Sequence, residues 1–186
     1  EAYASGQRVF AENRVQCLLE KLDTTAQYNM NDIDWHLIGS LQTNKVKYII
    51  DKVSLIHSVD SIHLAEEINK CAAKKGLKMN CLLQVNVSGE ESKHGVELED
   101  VDRIVEEFTK FDNLTLKGLM TMAPFEADEY ELRSIFSKLH KKYIDKKKKK
   151  GHNVDMSYLS MGMTHDFTYA IEEGSNMIRL GTGIFH

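Results

Sequence analysis

Two hydrophobic periodicities alternate along this chain. Short apolar runs of strand length lie at 8–10, 35–38, 54–59, 80–87, 116–122, 156–161 and 177–184. The segments between them carry apolar residues at helical spacing. Leu98, Val101, Ile104, Val105 and Phe108 define one helical face, and Leu132, Ile135, Phe136, Leu139 and Tyr143 another. Within the short runs the apolar residues are consecutive rather than alternating, as parallel strands covered on both faces require. Gly76, Gly151 and Gly174 each follow a charged helix end and precede a strand, where glycine tolerates a left-handed C-terminal cap best.

This order predicts seven strands and six intervening helices of a parallel α/β fold. A single proline, Pro124, and no Ser/Gly-rich linker make residues 1–186 one domain. Two closures are open to such a chain, a doubly wound sheet or a (β/α)8 TIM barrel. A barrel usually takes about 250 residues, and this chain has 186. Residues 1–6 read as the tail of a helix, which places a further segment before Glu1. The favoured expectation is therefore a (β/α)8 barrel lacking its first strand.

Composition narrows the partners. Hydrophobic residues make up 42% and charged residues 28%, which suits a soluble globular protein. A net charge of −4 supplies no basic field for nucleic acid, and no stretch nears 18 uninterrupted apolar residues, so no membrane span is expected. The lysine run at 146–150 ends an amphipathic helix without interleaved aromatics and reads as a solvated helix end. Cys17, Cys71 and Cys81 are odd in number and form no CxxC, so they read as buried free thiols of a reducing compartment. The expectation is a cytoplasmic monomer, with a mitochondrial pool as the alternative location.

In barrels of this kind, function gathers where strands end and helices begin. Here those ends are rich in small residues and poor in acids. Gly162 and Gly181 allow close backbone approach to an anion, and Thr164 and Thr182 add hydroxyl donors. Thr164 also stands where it could cap a helix beginning near His165 and so present free N–H groups to phosphate. Arg179, two residues before Gly181, faces the same side of its strand and points into the barrel mouth. A buried cation there needs acceptors, either a neighbouring carboxylate or a ligand heteroatom. His36 lies within a strand, and a hydrogen-bonded core histidine is the commoner role for such a residue. No HExxH or similar metal spacing, nucleophile elbow, dinucleotide turn or Walker loop is present.

The strand ends together resemble a family. "FAENRVQ" (10–16), "WHLIGSLQTNKVK" (35–47), "QVNVSGEESKHG" (84–95), "GLMTM" (118–122), "LSMGMTHDF" (159–167) and "IRLGTGIF" (178–185) are similar to the pyridoxal-phosphate homeostasis proteins. These are single-domain barrels related to the N-terminal domain of alanine racemase. The resemblance implies pyridoxal 5'-phosphate as cofactor, buffered or delivered to apo-enzymes that depend on it, without turnover. It implies that Arg179 faces the pyridine nitrogen and that Asn13 and His36 line the ring. Thr164, Gly181 and Thr182, with the backbone around Gly162 and Met163, would hold the phosphate.

The match has departures. Family members bind the cofactor covalently through a lysine on the first strand, and no lysine of this sequence inherits that place by motif. Lys45 and Lys47 follow a strand end on a helix, and Lys93 lies in the loop after "QVNVSG". Ala11 stands where glycine is commoner, Thr164 where serine is commoner, and His165 where an acid or small residue is frequent. A racemase-like enzyme is the alternative, but it needs a second acid/base on the opposite ring face. An enzyme of another phosphorylated metabolite needs a carboxylate at a strand end, and Glu12 and Asp60 are the nearest candidates.

Overall fold

Seven strands pair in parallel and in chain order, which decides between the two closures. The structure, a computed structural model, describes residues 1–90, 94–148 and 151–185. Its elements are β1 (Val9–Glu12), α1 (Val15–Gln27), β2 (Asp34–Leu37), α2 (Val46–Ile49), β3 (Leu55–Val59), α3 (Ile62–Lys75) and β4 (Met79–Asn86). They continue with β5 (Val96–Glu97), α4 (Val101–Phe108), β6 (Leu114–Met120), α5 (Glu129–Lys147), β7 (Val154–Met163), α6 (Phe167–Glu172) and β8 (Met177–Arg179). The sheet order is β1-β2-β3-β4-β6-β7-β8, with β5 paired to β4 alone. A doubly wound sheet reverses its strand order at a switch point; this one never does.

Side chains show how strongly the sheet curves. Two strands separate β3 from β7, so a flat sheet would hold them about 14 Å apart at the usual strand spacing. Yet His57 on β3 and Ser160 on β7 are hydrogen-bonded at 3.1 Å. The sheet therefore wraps into a barrel of the (β/α)8 kind, with β1 and β8 as its outer strands.

Wrapping divides the core into two layers. Between sheet and helices, Leu37, Ile56, Cys81 and Leu159 pack against Leu18, Ile68, Phe108 and Phe136. Inside the barrel, among the described residues, Leu55, Leu82 and Met120 form a small apolar floor, with Met177 against it. Above that floor the interior is polar, and the candidate site lies there.

The helices begin where their sequence says they should. The Ser61 hydroxyl accepts the Leu64 N–H at the start of α3, and the Asp128 carboxylate accepts that of Glu131 at the start of α5. Each such cap contributes about 1 kcal/mol. The expected faces are the buried ones: Val101, Ile104 and Phe108 of α4, and Leu132, Ile135, Phe136, Leu139 and Tyr143 of α5. Cys71 and Cys81 are buried and Cys17 is half-buried, all as free thiols. Among the described residues no helix is long and apolar enough to cross a membrane.

Three expectations need correction, and one short strand is added to them. The run at 177–184 is a strand only to Arg179, because the Ile184 and Phe185 N–H groups turn back to the Gly181 carbonyl, each at 2.9 Å. Strand β5 had no signal, since two residues carry no periodicity. Gly151 is no left-handed cap; Asn153 takes the positive φ of 61°, whereas Gly76 and Gly174 do have positive φ. Lys146 is buried rather than solvated, its ammonium meeting Asp102 and Asp145. Residues 149–150 of that run, Lys93 and His186 lie outside the described residues.

One glycine fixes the fit between β6 and β7. Gly118 sits at a register shift between them with φ of 153°, and a β-carbon there would stand 1.7 Å from the Tyr158 carbonyl oxygen. Gly118→Ala should cost about 3 kcal/mol or more, because backbone rather than a flexible side chain must move. Gly76→Ala, at a left-handed cap with open space around it, should cost about 1 kcal/mol. Urea denaturation midpoints at constant m-value measure both.

Candidate functional site

The polar interior is built on a single buried cation. Arg179, the last residue of β8, is 8% exposed. Its Nη1 donates to Ser160 Oγ at 2.6 Å and its Nη2 to the Thr121 carbonyl at 2.8 Å. Among the described residues no carboxylate comes within ion-pair distance, so the neighbouring-carboxylate alternative is not what the structure holds. Burial pushes the guanidinium down to about 10, with Asp166 acting in the opposite sense. It remains a cation at neutral pH, solvated by neutral oxygens.

From Ser160 a chain of hydrogen bonds crosses the barrel. Ser160 Oγ meets His57 Nδ1 at 3.1 Å, and His57 Nε2 meets His36 Nδ1 at 3.0 Å. His36 Nε2 lies 3.6 Å from Asp34 Oδ2, at the opposite, exposed end of β2. His36, His57 and Ser160 are all buried. Burial lowers the pKa of His36, partly opposed by Asp34. Burial lowers that of His57 much further, with the charges of His36 and Arg179 adding to the effect. His36 thus plays the core role expected from the residues alone, and it is joined to Arg179 through two side chains that the sequence did not single out. Only their spacing within β3 and β7 hinted at an inward face, and that hint does not distinguish a polar network from packing.

The second group forms at the ends of β7 and β8. Thr164 Oγ1 accepts the N–H groups of Gly181 at 3.4 Å and Gly183 at 3.2 Å, tying the two loops together. Gly162 and Met163 lead into this turn, and a β-carbon on Gly162, whose φ is 97°, would stand 2.6 Å from that of Ala170. Thr164 does not cap a helix. The helix α6 starts at Phe167, with Asp166 at its N-cap, and has six residues, so no helix begins at His165. The Met163 N–H is likewise committed, donating to the buried Asp166 carboxylate at 2.5 Å. His165 Nε2 lies 3.5 Å from that carboxylate, and its ring packs against Phe125.

Asn13 and Thr182 stand apart. Both are exposed, and among the described residues neither side chain hydrogen-bonds to either group. Asn13 is nevertheless fixed through its backbone: a β-carbon on Gly39 would stand 2.0 Å from its carbonyl oxygen, so the ends of β1 and β2 touch there. Of the acids once weighed as bases, Glu12 is paired with Lys21, and Asp60 accepts the Ser61 hydroxyl at 3.2 Å. No group of three or more His, Cys, Asp or Glu side chains suited to a metal occurs among the described residues.

A family model described as the alanine racemase N-terminal domain matches residues 2–186. The chain belongs to that family. Two curated relatives, both named pyridoxal phosphate homeostasis protein, come from Aquifex aeolicus and Vibrio alginolyticus. The first is 43% identical over 185 residues, covering all of this chain and 79% of the relative. The second is 38% identical over 186 residues, covering all of this chain and 78% of the relative. Among solved structures, PipY of Synechococcus elongatus with pyridoxal phosphate bound superposes with a TM-score of 0.90 at 32% identity, over all of this chain and 84% of that one. Alanine racemase of Clostridium difficile shares the fold, with a TM-score of 0.74 at 18% identity over 97% of this chain and 45% of that one.

The two depressed histidines make stability depend on pH in a definite sense. An unfolded histidine titrates near 6.5, whereas folded His57 and His36 resist protonation. Below about pH 6.5 the unfolded chain binds more protons, so the folded state loses stability as pH falls, by up to about 1.4 kcal/mol per pH unit for each histidine held neutral. Urea unfolding between pH 7.5 and 5 should show this decline. His57→Asn, which removes one of the two groups, should make it shallower.

Proposed function

We propose that this chain binds pyridoxal 5'-phosphate and holds it for apo-enzymes that require it, without a reaction of its own. The observation that carries this reading is Arg179: a buried cation with no carboxylate partner among the described residues, two positions before an exposed glycine-rich turn. The names of the relatives and the bound ligand of PipY supply the identity of the compound.

The donor set suits the two ends of that molecule. Arg179 cannot give up its proton at neutral pH, so it can donate to a pyridine nitrogen but never protonate it. Thr164 and the amides of Gly181 and Gly183 offer hydroxyl and backbone donors to phosphate, and Thr182 and the turn through Gly162 and Met163 border the same place. The bonds from those amides to Thr164 are long and neutral, so an anionic oxygen competes well for them. On this reading Asn13, at the end of β1, and His36, within β2, line the ring, as the family resemblance implies. When bound, the cofactor would supply an electron-withdrawing ring. A cation that leaves the ring nitrogen unprotonated weakens that property, which suits storage better than turnover. We place this role in the cytoplasm, in a monomer.

Calorimetric titration of the chain with pyridoxal phosphate and with pyridoxal tests the reading. The phosphorylated form should bind at least about tenfold tighter, a difference of 1.4 kcal/mol. Thr164→Val should weaken pyridoxal phosphate by about 3- to 10-fold and leave pyridoxal unchanged. Equal affinity for the two compounds overturns the phosphate assignment, and racemisation of alanine by the chain overturns the non-catalytic one.

A further inference from the structure

The direction of every proton between Arg179 and Asp34 follows from the network. A guanidinium only donates, so Ser160 Oγ is an acceptor towards Arg179 Nη1. Ser160 is fully buried, and a buried hydroxyl proton needs an acceptor of its own. Among the described residues the only other partner of that oxygen is His57 Nδ1, at 3.1 Å. His57 Nδ1 must therefore accept, which puts the single proton of the neutral ring on Nε2. That proton can only point to His36 Nδ1, 3.0 Å away, and His36 in turn carries its proton on Nε2, facing Asp34.

We propose that His57, acting through Ser160, is a positioning residue for Arg179. It orients the Ser160 hydroxyl so that the oxygen, not the proton, faces the guanidinium. With the Thr121 carbonyl as the second acceptor, two of the five N–H groups of the guanidinium are fixed, and the plane of the other three is fixed with them. Those three are the donors that meet the ring end of the ligand. If His57 were replaced by an apolar residue, the Ser160 proton would lose its acceptor and compete with the guanidinium for the same space. Arg179 would then keep one anchor and lose its fixed plane. The inference rests on the assignment of Arg179 to the ring end in the preceding section, and it adds that the far wall of the barrel sets the geometry of that contact.

Nuclear magnetic resonance of the ligand-free chain, labelled with 15N-histidine and 15N-arginine, tests the positioning role independently of any ligand. His57 and His36 should both show the Nε2–H tautomer, and the Arg179 guanidinium should give slowly exchanging, resolved Nη–H signals. In His57→Leu and in Ser160→Ala those Arg179 signals should broaden or vanish. In His57→Asn, whose Oδ1 replaces the Nδ1 acceptor, they should persist. In binding measurements His57→Leu should weaken pyridoxal phosphate at least fivefold and leave inorganic phosphate within twofold, and His57→Asn should restore the first value. A merely structural role for His57 would weaken both ligands alike. An Nδ1–H tautomer at His57, or Arg179 signals unchanged in both His57→Leu and Ser160→Ala, overturns the proposal. If the unsubstituted chain fails to bind pyridoxal phosphate, the functional reading fails, and the tautomer and guanidinium signals still decide the positioning role.

Discussion

A guanidinium taken out of water must be solvated by the protein itself, and in this molecule the acceptors that do so sit on the neighbouring strands and are bonded in turn from across the barrel. Ser160 lies on β7, the Thr121 carbonyl follows β6, and the histidines that complete the chain lie on β2 and β3. An unsatisfied buried donor costs about 1–3 kcal/mol, and more when it is charged. The curvature of the sheet and the polarity of its interior therefore depend on each other. Flattening the sheet would pull β3 from β7 and leave the Ser160 hydroxyl without His57. Filling the interior with apolar side chains would leave Arg179 without acceptors.

The outer layer shows the complementary logic. Helices α3, α4 and α5 press apolar faces on the outside of the sheet, while the inside, among the described residues, keeps a small floor of Leu55, Leu82 and Met120 with Met177 against it. Arg133 of α5 is bonded to Glu172 and Glu173 at the C-terminal end of α6. That fixes the element behind the β7 turn from the outside, and Asp166 holds the same turn from within by accepting the Met163 N–H. The loop that carries Thr164 is thus secured on both sides before any ligand is considered.

Much of this could be read from residue order, because burial on both faces leaves a signature that is local in sequence. The strand series, the faces of α4 and α5 and the glycine ends at Gly76 and Gly174 all follow from a few neighbouring positions. The partners of Arg179 do not. Ser160 and His57 are 103 positions apart, and nothing near either one tells which partner it meets. Thr164 misled for a related reason. A hydroxyl before a helix usually serves that helix, but here the Thr164 hydroxyl accepts two N–H groups from the glycine turn after β8, and α6 has no side-chain cap. Single positions were weakest where backbone conformation shifted by a residue or two, as at Asn153, which takes the left-handed geometry expected of Gly151.

The bond between Thr164 and the Gly181 and Gly183 amides has a kinetic corollary. The protein gives those amides an acceptor of its own, so an anion arriving there, as proposed, would displace a bond instead of filling a need. When it leaves, no amide is stranded. Affinity is capped by that exchange, and dissociation meets no penalty of broken solvation. The proposed carrier role is served better by such a self-satisfied cup than by one that grips as tightly as chemistry allows.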